Sequence, residues 1–376
     1  MIPYKPEDIL KRAGAVGSYY GFTPLSSLSA KKGISRAPYP DNILPETLEP
    51  SARDTAGFLK HVRDIGLTPS TTQPLFLWHS NASQGRPAPK QLIIQFHALG
   101  VERSIADAVL MRTVRALMQD LTKEELILRI NSMGDKETRS RFARELTQFF
   151  RKQAQTLPEN CLNCAKRDVF EAAQLLATSD AEALPSPTDH LSEQSRKHFE
   201  GVIEYLESTD TPYELAPELL SRGTHWTETC FEVHGDKKMH AWGSRYSELT
   251  KPFFKTAVPS MGVILRIATE SRETIAQAKN THAPRFVFVH IGDEAKRESI
   301  KMADNLRKAR IPLTQSIGIE SLSEQMRFVE EMNPPYVIIM GRKEALERSV
   351  ILRNRNTYTE VSVLLDNLVE HLKGVV

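Results

Sequence analysis

Apolar residues in this chain recur with two periods, and the switches between them mark out its parts. Residues 6–20 carry Ile9, Leu10, Ala13 and Val16 at helical spacing, and Pro6, Glu7 and Asp8 suit a first helical turn. A turn into an extended segment follows at 19–25, and 31–50, rich in Pro, Ser and charge, reads as a loop. Residues 52–65 predict a helix. Apolar runs at 75–78 and 92–99 predict strands, and the turn formers at 81–90 join them into a long hairpin. The helix at 104–121 is clearly amphipathic: Ile105, Ala108, Val109, Val114, Leu117 and Met118 make its buried stripe, with Ser104 as N-cap. A strand and turn at 126–135 lead into a helix at about 138–153, and 155–210 stays helical.

Residues 219–233 change to period two. A Ser-Arg-Gly turn gives way to Thr229, Cys230, Phe231, Glu232 and Val233, the alternation of a half-buried strand. A hairpin turn at 234–239 and a second strand-rich piece follow, and 272–283 is polar, reading as helix and linker. Beyond it, strands are predicted at 285–291, 312–317, 336–340, 349–353 and 359–363, and helices at 295–309, 322–332 and 364–373. This β-α-β-α-β order predicts a mostly parallel sheet with covering helices.

Composition narrows the class more than the function. At 376 residues, 40% hydrophobic and 26% charged, the chain reads as a soluble globular protein of two or three domains. Its 49 basic and 47 acidic residues leave a net charge of +2, so any RNA contact has to come from local patches. Three cysteines exclude a disulfide framework and suit a reducing cytosol. No apolar run approaches the roughly 18 residues of a membrane span, and residues 1–8 lack a charged-then-apolar leader, so the expected location is cytoplasmic. Cys161 and Cys164 form a Cys-x-x-Cys pair, which supplies only two zinc ligands, and Cys230 is the one remaining cysteine. His190 and His198 complete a set only if the fold brings them close. The expectation is thiols, structural or exposed, and no metal.

Residues 222–232, Arg-Gly-Thr-His-Trp-Thr-Glu-Thr-Cys-Phe-Glu, resemble the signature strand of histidyl-tRNA synthetases, Arg-Gly-Leu-Asp-Tyr-Tyr-Thr-Arg-Thr-Val-Phe-Glu. Gln95-Phe96-His97-Ala98-Leu99-Gly100-Val101-Glu102 is similar to the end of the family's motif 2. Asn131-Ser132-Met133-Gly134-Asp135 with Arg139 is similar to its Asn-Ser-x-Gly-Asp-x-x-x-Arg pattern, and residues 191–199 to its helical insertion. Arg245-Tyr246 matches the floor of the histidine pocket, and residues 306–311 and 338–341 the anticodon-binding domain. The resemblance spans nearly everything after Leu92 and is thinner before it, where a helix ending in Tyr20-Gly21-Phe22 resembles the dimer-forming motif 1. It implies an α+β class II synthetase-like core, an antiparallel sheet with helices, from residues 1–134 and 211–275. It also implies a helical insertion at 135–210, an α/β anticodon-binding-like domain at 283–376, and a homodimer.

The same resemblance implies a site that has lost its arginines. Glu228 stands where the family's signature arginine polarises the substrate carboxylate. Trp78 and Ser80 stand at the Arg and Glu of the motif 2 Phe-Arg-Tyr-Glu, and Thr269 at the motif 3 arginine, with Arg266 three residues early on a different face. Ser51 replaces the glutamate that holds the amino group of histidine. The pocket is expected to be lined by Ser51, Arg86, Gln95, His225, Trp226, Arg245 and Tyr246, although Arg86 reads equally as a solvated surface residue. Amino-acid activation builds negative charge on phosphorus and pyrophosphate, and each lost charge contact commonly costs about 3 kcal/mol. The reading is a protein that does not charge tRNA and acts as a regulatory or RNA-binding dimer. Arg307, Lys308, Arg310, Arg342 and Lys343 are its candidate RNA contacts, or else only solubilise the domain. Two alternatives stand beside it. One is a partner role like the regulatory subunit of ATP phosphoribosyltransferase. The other is a divergent active ligase, to which ATP and Mg²⁺ would belong.

Overall fold

The computed structural model of the chain describes residues 4–28, 49–82, 91–177, 184–221, 225–236, 238–268 and 284–375. It opens with helix α1 (Pro6–Tyr19), strand β1 (Thr23–Pro24), helix α2 (Pro50–Asp64) and strands β2 (Leu75–Ala82) and β3 (Gln91–Leu99). Helix α3 (Ile105–Leu121) and strand β4 (Leu126–Ser132) lead to helices α4 (Lys136–Lys152), α5 (Glu159–Ala165), α6 (Val169–Ala177) and α7 (Glu193–Ser208). Strands β5 (Glu214–Leu215), β6 (Thr227–Gly235) and β7 (Lys238–Arg245), helix α8 (Lys251–Phe254) and strand β8 (Ser260–Ala268) complete this part. Among the described residues its eight strands form one sheet in the order β1-β2-β3-β8-β7-β6-β4-β5, antiparallel except at the outermost pairs β1–β2 and β4–β5.

Alternation along the strands gives the sheet two different faces. Ile94, Phe96, Phe231, Val233, Val263 and Leu265 point to one face and pack with residues of α1, α3 and α7. On the other face α2 and α8 lay Phe58, Leu59, Val62 and Phe253 over Leu77, Leu99, Trp226 and Tyr246. Helix α4 starts where Asp135 accepts the Thr138 backbone N–H at 2.7 Å. Ser104 is not the cap expected of α3: it has helical dihedrals and no capping bond. Its hydroxyl is pressed against Gly201 of α7, where an added Cβ would lie 2.7 Å from it. The hairpin after β6 is also tighter than 234–239, because His234 and Gly235 still pair with Met239 and Lys238.

The second part runs β9 (Phe286–His290), α9 (Asp293–Lys308), β10 (Leu313–Gln315), α10 (Leu322–Met332), β11 (Tyr336–Met340), α11 (Arg342–Leu346), β12 (Ser349–Asn354), β13 (Glu360–Leu364) and α12 (Leu365–Gly374). Its sheet order is β10-β9-β11-β12-β13. Only β10, β9 and β11 are parallel, so the mostly parallel expectation fails for the last two strands. The reason is length: a parallel crossover needs about a dozen residues, and β11–β12 and β12–β13 are joined by fewer.

Helix α9 docks the second part on the first. Tyr20 O–H donates to Asp304, Arg112 pairs with the same carboxylate, and Arg307 Nη1 reaches Asp120 at 2.7 Å. At the turn after α1, Gln315 donates to Tyr19 C=O at 2.7 Å. Gly21 has φ +81° there, and a Cβ on it would meet Gln315 C=O at 2.5 Å, so only glycine fits. Phe286, Ala303 and Leu306 join the same apolar core as α1 and α3. No helix among the described residues is long and apolar enough to cross a membrane.

Candidate functional site

The face under α2 is built on the register of β2 and β3. His97 lies opposite Leu77, and Gln95 opposite His79, so these four share that face. Trp78 and Ser80 pair with Phe96 and Ile94 on the other face. The indole of Trp78 is buried, stacks 6.2 Å from Phe96 and packs on Gly17. The positions expected to have lost Arg and Glu are therefore turned into the core, and Leu77 and His79 are what face α2. A one-residue slip in a strand exchanges its faces.

A buried polar chain crosses this face. Tyr246 O–H donates to His97 Nδ1 at 2.7 Å, and His97 Nε2–H donates to Gln95 Oε1 at 3.1 Å, with the Gln95 amide nitrogen left unpartnered. Burial, then His79, holds His97 well below its ordinary range, and burial raises Tyr246. Both are therefore neutral, which matches the donor directions. Phe58 of α2 lies flat on His97, ring centroids 3.8 Å apart at 15°. His79 is lowered by burial and then by His61, which stands 5.6 Å away on α2. Arg266 shares this face, opposite Ile93, and Asp54 of α2 holds it at 2.6 Å.

At the N-terminal end of α2, Trp226 N–H donates to Glu49 and the indole meets Trp242 edge-on at 4.7 Å. Ser51 sits in the first turn, where its C=O accepts from the Thr55 hydroxyl. Burial, then Arg139, pushes His225 down to about 4, and its Nε2 is unpartnered. Arg139 itself donates to Ser221 C=O at 3.0 Å and lies over Phe170. Nothing in the sequence pattern singled out Phe58, His61 or His79. The polar residues Gln95 and His97 within an apolar strand were the available clue to the right face.

Glu228 and Arg245 are not on this face. A bulge between Thr227 and Cys230 puts Glu228 at φ +53° and turns it toward α7, where Ser195 O–H donates to Oε1 at 3.0 Å. Burial raises Glu228, more than His198, Ser195 and Arg245 lower it. Arg245 alternates with Tyr246 and so faces the helices. It donates to both oxygens of Asp107 at 3.1 Å, to Val101 C=O at 3.0 Å and to Arg103 C=O at 2.9 Å. Burial opposes ionisation of Asp107, but Arg245 and then His198 outweigh it and hold the carboxyl below the usual range. Arg86, Thr269 and residues 222–224 lie outside the described residues.

The five candidate RNA contacts divide. Arg307 is not a surface residue: its side chain is 10% exposed and sits in the docking network between Asp120 and Asp304. Arg342 is 3.6 Å from Glu294, and Lys343 is 3.9 Å from Glu347. Lys308 and Arg310 are exposed and have no ion pair among the described residues. Cys161, Cys164 and Cys230 are buried in one apolar cluster with Phe142 and Leu146. Among the described residues no three or more His, Cys, Asp and Glu side chains are grouped to hold a metal ion.

The family described as "Anticodon binding domain" (HGTP_anticodon) matches residues 285–374. The histidine–tRNA ligase of Desulfatibacillum aliphaticivorans is 26% identical over 348 residues, 88% of this chain and 82% of that protein. That of Halothermothrix orenii is 28% identical over 302 residues, 75% and 71% of the two chains. The apo histidyl-tRNA synthetase of S. aureus superposes with a TM-score of 0.42 at 22% identity, covering 80% and 77%. A Bacillus halodurans protein titled ATP phosphoribosyltransferase regulatory subunit/histidyl-tRNA synthetase gives 0.43 at 14% identity, covering 89% and 93%.

Proposed function

From the premise that this chain belongs to the histidyl-tRNA synthetase-like class II family, with an anticodon-binding domain at residues 285–374, we propose that it engages tRNA or another structured RNA without charging it. The observation that carries this reading is the closed face under α2. Phe58 stacked on His97 leaves Gln95, His97 and Tyr246 without exposed surface, in the place where an amino acid and an adenylate would have to fit.

The charges on that face support the same reading. Adenylate formation needs cations where charge develops on the phosphates. Leu77 and His79 stand on the face instead of arginine, Asp54 neutralises Arg266, and Arg245 is spent on Asp107 behind the sheet. At about 3 kcal/mol per missing contact, each loss is roughly a hundredfold in rate. Glu228 is not counted, since its side chain does not reach this face.

RNA contact falls to Lys308 and Arg310 rather than to Arg307. Replacing both by Ala lowers tRNA affinity and reduces the salt slope by about 1–2. Unchanged affinity and slope refute the assignment. The reading includes a homodimer, which sedimentation equilibrium tests.

A second reading, a regulatory protein partner, is favoured by one observation. Three arginines of the second part are tied up in ion pairs, Arg348 with Asp366, Arg353 with Glu360 and Arg342 with Glu294, which weakens its field toward phosphate away from Lys308 and Arg310. Stable co-purification with a phosphoribosyltransferase, and no tRNA binding at low salt, would favour it.

A further inference from the structure

A second cavity lies on the α3 side of the first sheet, away from the closed face under α2. A groove of about 400 Å³ opens between the C-terminal half of α3, the outer edge of β4 and the segment entering β5. Its volume lies within the range of small-molecule sites, roughly 300–1,000 Å³. Arg115 and Gln119, one helical turn apart, form one wall. Pro212, Tyr213 and Glu214 form the other, and Glu124, Glu125 and Leu126–Leu128 line the rest.

Two features of this lining ask for a ligand. First, opposite charges share the groove without pairing. Arg115, Glu125 and Glu214 make no ion pair among the described residues, and Arg115 Nε is buried without a hydrogen-bond partner. Glu124 is already used, 2.7 Å from His240 Nε2. Behind Arg115, Arg112 takes the Asp304 carboxylate and Thr209 C=O, so Asp304 acts on Arg115 only at longer range, and burial and then Arg112 outweigh it. Second, the groove runs along unused sheet edge. Ala216 N–H donates to Ile130 C=O, so strand alternation turns the main chain of Leu126 toward the same side, where β5 has not yet begun. Ile127 and Leu215 leave apolar surface exposed beside it.

We propose that this groove binds a basic α-amino acid. One carboxylate meets the unpaired guanidinium of Arg115, and the two cationic ends meet Glu125 and Glu214, so the single free positive and two free negative charges are all answered. The ligand's carbon chain lies along Ile127, the exposed apolar side chain of the lining, and Gln119 and the Leu126 main chain supply neutral hydrogen bonds.

Calorimetry on the full chain tests this with L-arginine and L-lysine, against agmatine, which lacks the carboxylate, and L-norleucine, which lacks the second cation. Saturable binding is expected for arginine and lysine, weaker by about tenfold or more for the two analogues. Glu125→Gln and Glu214→Gln, both at exposed positions, each weaken arginine binding by about tenfold, whereas norleucine, which keeps only the α-ammonium, is weakened by one of the two and unchanged by the other. Arg115→Gln weakens arginine but not agmatine. If Arg115→Gln unfolds the chain through its neighbour Arg112, the two glutamate variants decide alone. No saturation by either basic amino acid at millimolar concentration overturns the proposal. So does arginine binding of undiminished strength in both glutamate variants.

Discussion

Replacing Asp304 by Ala should loosen the docking of the second part more than any surface change. Its carboxylate accepts the Tyr20 O–H, pairs with Arg112 and stands 3.8 Å from Arg307 Nε. Tyr20 is fully buried and the Arg112 side chain is 8% exposed, so neither can turn to water once the acceptor is gone. Charge-assisted hydrogen bonds contribute about 1.5–3 kcal/mol each. The losses do not simply add, because Arg112 keeps Thr209 C=O and Thr211, and Arg307 keeps Asp120. A buried guanidinium stripped of its partner brings the total to about 3–5 kcal/mol. Asp304→Asn retains an acceptor for Tyr20 and should fall between. Urea unfolding of both variants at low and at about 0.5 M salt is the assay, since buried pairs are screened much less than exposed ones. A loss below about 1 kcal/mol for Asp304→Ala, or one that disappears in salt, would refute the view that this carboxylate anchors the interface.

Two further predictions concern the sheet faces. The folded pKa of Glu228 is raised, so its burial costs stability only once it ionises. The penalty is absent below the unfolded pKa of about 4.3 and grows as pH rises toward and through the folded value. Glu228→Gln should therefore leave Tm nearly unchanged at acidic pH and raise it at pH 8, by an amount set by roughly 1–3 kcal/mol for an unsatisfied buried acceptor. A Tm gain confined to acidic pH would reverse the sign and refute the assignment. Phe58→Ala removes a fully buried ring stacked on His97, and should cost about 3–5 kcal/mol in chemical unfolding. A cost under about 1 kcal/mol would mean that α2 does not close the face.

Much of the fold was legible because its patterns are local. The stripe Ile105, Ala108, Val109, Leu117 gave α3, and the alternation Phe231, Glu232, Val233 gave β6. Strand direction at β12 and β13 was legible too, had connection length been weighed against element order. The face of a side chain was harder. Trp78 was placed by matching a motif, whereas the pairing of β2 with β3 turns it inward, and only the partner strand's register decides that. Glu228 escaped for a different reason: a bulge breaks the two-residue period, and no composition signal marks it. Arg307 looked like one of several cations on a helix. Its acidic partner Asp120 belongs to α3, far away in sequence, so the pairing exists only after docking.

Histidine-dependent ATP–pyrophosphate exchange tests the central claim most directly, because it isolates activation from every later step. With Phe58 on His97 and no free arginine on that face among the described residues, the full chain should show no histidine-dependent exchange above the protein-free background. Exchange that requires histidine and saturates with it would contradict the account, and would mean that α2 opens to admit the substrate.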